Sequence, residues 1–139
     1  MYSQRLLIVV HSILTLKNTM IKNILIVGTG GALGSIARYL ITCIFTHLAI
    51  CSELATLSIN ILGSFIIGLL IPASSNTLYL LAAVGFCGGF TTFSTFSAQA
   101  LQMLQNGQRI SSIIYILASV LISIAFVFMG FYLSEKYFK

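Results

Sequence analysis

The chain has 139 residues, 58% of them hydrophobic and 6% charged, with a mean hydropathy of +1.06; soluble domains carry about a quarter charged residues. That composition excludes a soluble globular domain, and at about 20 apolar residues per membrane crossing four spans nearly exhaust the length. The net charge of +5 sets seven basic residues against Glu53 and Glu135. Most of the basic residues lie near the termini and form no stripe, so nucleic-acid binding is a poor reading and membrane-edge anchoring a good one.

Residues 1–19 read MYSQRLLIVVHSILTLKNT. The apolar runs Leu6 to Val10 and Ile13 to Leu16 are interrupted by His11 and Ser12 and are too short to span. No small-residue cleavage site precedes Lys17, so a signal peptide is not expected. The segment reads as a frayed or interfacial amphipathic extension, or as a consequence of start-site choice with Met20 as the functional start. Residues 20–139 then form a single four-helix domain.

Span one is expected from about Lys22 to Thr46 and contains GTGGALGSIARY. Its glycines after the strand-like stretch Asn23 to Val27 imitate a dinucleotide-binding turn, with Glu53 at a plausible distance for a ribose. A Rossmann unit needs helices with a wet face, however, and Leu54 to Pro72 carries no charge. The Gly30 and Gly34 pair is better read as a G-x-x-x-G face that admits a close helix. Arg38 lies in the deeper half of the span, where a charge costs a few kcal/mol unless it snorkels or finds partners. It is either an interfacial arginine or a fixed positive charge that draws anions into a vestibule.

Span two, Leu54 to Pro72, carries Asn60 in its outer half, where a buried amide needs partners or a substrate. Pro72 and a short loop turn the chain into span three, about Leu78 to Leu104. Here GFCGGFTTFSTF, Gly85 to Phe96, interrupts an otherwise lipid-like helix. Gly88 and Gly89 loosen the backbone, Thr91, Thr92, Ser94 and Thr95 supply hydroxyls, and Phe93 and Phe96 share a face. Irregular backbone at membrane depth survives only where protein buries it or where it lines a wet cavity. Span four, Ile110 to about Ser134, places Tyr115, Ser119 and Ser123 at four-residue intervals, a polar line or a packing seam.

Cys43, Cys51 and Cys87 are an odd count without metal-ligand spacing, and His11 and His47 are isolated. No intramembrane carboxylate, no nucleophile with an adjacent base and no phosphate loop is present, so an enzyme is not expected. One arginine among many neutral donors suits a small hard anion, and phenylalanine edges carry the positive end of the ring quadrupole. Carbonyls at Gly88 to Thr92 freed from helix bonding could alternatively hold a cation such as Na⁺. Four thin spans with few polar faces are not expected to enclose a pore alone, which calls for an oligomer, most simply a dimer. The basic termini against Arg109 on the opposite side predict both termini inside, a bias that weakens if translation starts at Met20.

Through GGALGSIARY in span one, TLSINILGSFIIG in span two and GFCGGFTTFSTFSAQ in span three, the chain from Met20 onward resembles the Fluc (CrcB) fluoride channels. The resemblance implies an all-α, four-helix subunit with its third helix broken mid-membrane. It implies an antiparallel, dual-topology homodimer in the bacterial inner membrane, with two fluoride pores and a structural Na⁺ between the breaks. By that resemblance Asn60, Phe93 and Phe96 line the pore, and Tyr115, Ser119 and Ser123, joined by Ser94 and Thr95, form its polar track. Arg38 guards the vestibule, and the carbonyls of Gly88 and Thr91 hold the Na⁺. Family members often carry Glu at the position of Gln99. The alternative from another class is a small four-span multidrug exporter, which needs a titratable membrane carboxylate and has only Glu53 to offer; a third is a non-transporting assembly partner.

Overall fold

The computed structural model describes residues 2–73 and 75–138, and the side chains of these apart from 2–10, 12, 73 and 138. The described residues are helical almost throughout, with no strand. Helix α1 is Tyr2–His47 and α2 is Ser52–Ala73; the third span is built from α3 (Asn76–Leu78), a π-helical stretch Tyr79–Cys87, α4 (Gly88–Phe90) and α5 (Phe93–Gln105); α6 is Arg109–Phe138. Four segments are long and apolar enough to cross a bilayer: Ile13–His47, Ser52–Pro72, Asn76–Gln105 and Arg109–Tyr137. The protein is a multi-pass helical membrane protein. Helix α1 is longer than its expected span, because residues 2–19 are helical and continuous with it rather than frayed. Asn23 to Val27 lies within α1, which removes the strand that a dinucleotide fold requires.

The spans are joined tightly. Helix α1 closes with Ala49 in the left-handed region at φ 54. There Ile50 N–H donates to the Phe45 carbonyl at 2.9 Å and Ala49 N–H to Thr46 at 3.1 Å, which satisfies carbonyls that the helix end would orphan. Gly107, at φ 78, ends α5 in the same way, with Gln108 N–H donating to Met103 at 2.9 Å. Because both turns are short, α1 and α2 run in opposite senses, as do α5 and α6.

Two pairings build the subunit: α1 lies along the π-helical stretch and α4, and α2 lies along α6. Glycines set both distances. A methyl group on Gly34 would overlap the Phe86 carbonyl, and one on Gly85 would sit 2.7 Å from the Val27 carbonyl. On the other pair, Gly68 faces the Val127 carbonyl and Gly130 the Phe65 carbonyl with no room for a side chain. Such contact replaces the hydrophobic drive that is missing between helices in lipid. Several hydroxyls along α1 are satisfied locally, as where Thr42 donates to the Arg38 carbonyl at 3.0 Å.

Candidate functional site

The site grows out of a two-residue gap in the third span. Helical dihedrals stop at Phe90; Thr91 sits at φ −75, ψ 158 and Thr92 at φ −147, ψ 109, and α5 then begins at Phe93. Thr92 caps α5, its hydroxyl accepting from Thr95 N–H at 3.2 Å and donating to Thr95 Oγ1 at 2.9 Å. In an unbroken helix Thr92 N–H would donate to the Gly88 carbonyl. Instead it donates to Asn60 Oδ1 at 2.8 Å, while Asn60 Nδ2 donates to the Thr92 carbonyl at 3.2 Å. One amide from α2 thus serves both backbone groups of the residue at the gap, where lipid would serve neither.

The break frees several carbonyls from helix pairing, those of Gly88 and Thr91 among them. Gly88 loses Thr92 N–H to Asn60, and Thr91 loses Thr95 N–H to the Thr92 hydroxyl. Thr91 itself stays anchored on its helical side, where both its N–H and its hydroxyl donate to the Cys87 carbonyl at 2.9 Å.

A cleft of about 450 Å³ opens beside the gap. Asn60, Gly88, Thr91, Phe93, Phe96, Ser119 and Ser123 line it together with Ser64, Cys87 and apolar residues. Phe93 is 77% exposed and Phe96 only 7%, with their ring centroids 5.4 Å apart. The Ser119 hydroxyl is buried and has no hydrogen-bond partner among the described residues, which leaves it available to a guest.

A second cleft, about 340 Å³, lies on the other side of Thr92 and is lined by Ser35, Arg38, Tyr39, Thr42, Thr56, Thr92, Thr95 and Gln99 among others. Half-buried Arg38 is the one cation among these residues. The expected site residues therefore divide between two clefts. Tyr115 lines neither: its ring packs 5.4 Å from Phe96 and its hydroxyl donates to Gln99 Oε1 at 2.8 Å. Ser94 also lines neither, lying 3.3 Å from the Thr92 hydroxyl.

Sequence reasoning underplayed Thr92 and Gln99. Thr92 could have been found as an N-cap, since it stands three residues before Thr95 at the entrance of a new helical run. Nothing in the sequence points to the pairing of Gln99 with Tyr115, which joins different spans. Among the described residues no group of three or more His, Cys, Asp or Glu is placed to hold a metal ion.

Taken together, the four spans and the two clefts beside an irregular stretch of backbone define a multi-pass helical membrane protein. Residues 25–131 match the family described as CrcB-like protein, Camphor Resistance (CrcB). The chain belongs to that family. It is 44% identical over 119 residues to a protein of Gloeothece citriformis, covering 81% of this chain and 97% of that one. It is 43% identical over 117 residues to one of Elusimicrobium minutum, covering 81% and 94%. A relative in Agrobacterium fabrum is 43% identical over 123 residues, covering 84% and 98%. Each of the three is named fluoride-specific ion channel FluC.

Proposed function

We propose that this protein is a fluoride-specific ion channel that lets toxic fluoride leave the cell passively across the inner membrane. The observation that carries the reading is the gap at Thr91 and Thr92, held open by Asn60 and lined by Phe93, Phe96 and the unpartnered Ser119 hydroxyl. Fluoride is small and strongly hydrated, so the path must replace water with donors that hold the ion weakly at several points. The Arg38 cleft collects the anion. Asn60, with one amide hydrogen committed to Thr92, has the other to offer, and the hydroxyls of Thr95, Ser119 and Ser123, which line the two clefts, continue the track, with Ser94 set behind them against the Thr92 hydroxyl. Phe93 and Phe96 present ring edges, the electropositive part of the aromatic group, to an anion that has shed water. Tyr115 supports Phe96 and reaches the track through its ring, because its hydroxyl hydrogen is directed to Gln99.

The working unit in this reading is an antiparallel, dual-topology homodimer with two pores. A Phe93 ring that is 77% exposed and a cleft open along one side both ask for a covering surface. The carbonyls of Gly88 and Thr91 fit a hard monovalent cation, since both are released from helix pairing and both residues line the same cleft. Na⁺ bound there, with the same carbonyls from a second subunit, would supply a structural pin between the two broken spans. Fluoride passage itself rests on the side chains named above.

The exporter alternative fares poorly on position. Glu53 stands in the first turn of α2, where its Oε2 accepts from Ser52 at 3.3 Å at the end of a span, away from the membrane centre where a proton-coupled carboxylate would act. Fluoride release from liposomes carrying Phe93→Ile or Phe96→Ile tests the pore assignment. Loss of release with dimers intact is the expected result, and undiminished release in both variants contradicts it.

A further inference from the structure

The helical extension before span one has no role in the path described above, and it lies before the family match, which begins at residue 25. Its described side chains are exposed throughout from Ile13 to Lys22. At about 100° per residue, residues 11–22 sort most of their apolar and polar side chains onto different arcs. Ile13, Leu14, Leu16, Met20 and Ile21, between 48% and 64% exposed, fall on an arc of about 160° by the same geometry. His11, Thr15, Asn18, Thr19 and Lys22 fall on the opposite arc. The hydroxyls there need no partner, since Thr15 donates to the His11 carbonyl at 2.8 Å and Thr19 to the Thr15 carbonyl at 3.0 Å. Only the apolar arc is left wanting a surface.

We propose that residues 11–22 form a basic amphipathic arm that lies on an anionic lipid surface beside span one. Charge favours this occupant, because Arg5, Lys17 and Lys22 precede the first acidic residue of the chain, Glu53. Lys17 chooses between lipid and protein. It lies near the centre of the apolar arc, where docking against another helix would bury an unpaired ammonium. At a lipid surface its stem stays among the apolar side chains and its amine reaches a phosphate. Continuity with the span keeps the arm within reach of headgroups, and Asn23, a poor helix former just beyond the arm, would give α1 a place to turn onto the surface.

The test places a polarity-sensitive dye on the full chain at Leu14→Cys or Asn18→Cys, with the three native cysteines replaced by alanine. The protein is reconstituted into phosphatidylcholine vesicles with or without one third phosphatidylglycerol. The dye at position 14 should shift to the blue in the anionic vesicles, the dye at 18 should not, and molar salt should reverse the shift. Lys17→Gln with Lys22→Gln should lower the preference for anionic over neutral vesicles by roughly tenfold. An equal signal at position 14 in both vesicle types overturns the proposal. So does a shift that follows protein density instead of lipid charge, which would assign the arc to a protein surface. The readout involves no ion flux, so its outcome stands apart from that of the channel reading.

Discussion

Asn60 is the residue on which the site depends most. Its amide meets both backbone groups of Thr92, and leaving a buried polar group unsatisfied costs about 1–3 kcal/mol. Asn60→Ala should therefore destabilise the subunit by about 2–4 kcal/mol, two such groups with partial relaxation, and lower fluoride release at least about tenfold; thermal unfolding in detergent and liposome efflux measure the two effects. Asn60→Asp keeps the acceptor for Thr92 N–H, loses the donor, and adds a negative charge to an anion path, so its flux should fall further than its stability. Thr92→Val removes the cap of α5 while keeping the shape of the side chain. The expected cost is about 1 kcal/mol, seen as a lower unfolding midpoint, and Thr92→Ser should restore it.

At the scale of elements, the close pairings of α1 with the third span and of α2 with α6 predict where substitution is least tolerated. Gly34→Leu would drive a side chain into the Phe86 carbonyl and Phe90 backbone, and should part α1 from the third span, leaving little folded protein by size-exclusion chromatography. Gly28, which has nothing within 4 Å of an added Cβ, should accept alanine without loss. Ala49 holds a left-handed conformation that disfavours a Cβ. Ala49→Gly should stabilise the turn by about 1 kcal/mol, read as a raised unfolding midpoint.

Much of this architecture is legible in the residues themselves. Runs of about 20 apolar residues announce the spans because a bilayer core has one thickness, and Gly30 and Gly34 announce a close contact because only small residues allow it. The cluster from Gly88 to Phe96 announces irregular backbone through its composition. What the residues do not carry is who meets whom across spans. Asn60 reads as an amide that needs a partner or a substrate until the structure sets it against the Thr92 backbone, and Tyr115 reads as a hydroxyl of the polar line until its hydrogen is found at Gln99. The π-helical stretch at Tyr79–Cys87, which lies along α1, has no sequence mark that the hydrophobic pattern reveals. The helical continuity of residues 2–19 escaped notice because His11 and Ser12 interrupt the apolar run without interrupting the backbone.

For the molecule as a whole, the chain supplies few charges and, among the described residues, a non-helical gap within the third span with polar side chains around it. The reading as a passive fluoride path stands or falls on flux. Purified protein should be reconstituted into liposomes loaded with fluoride or with chloride, in Na⁺ buffer, and external anion followed after the membrane potential is released. The account predicts rapid fluoride release with chloride retained. Well-folded protein that releases neither ion, or releases both equally, would contradict it.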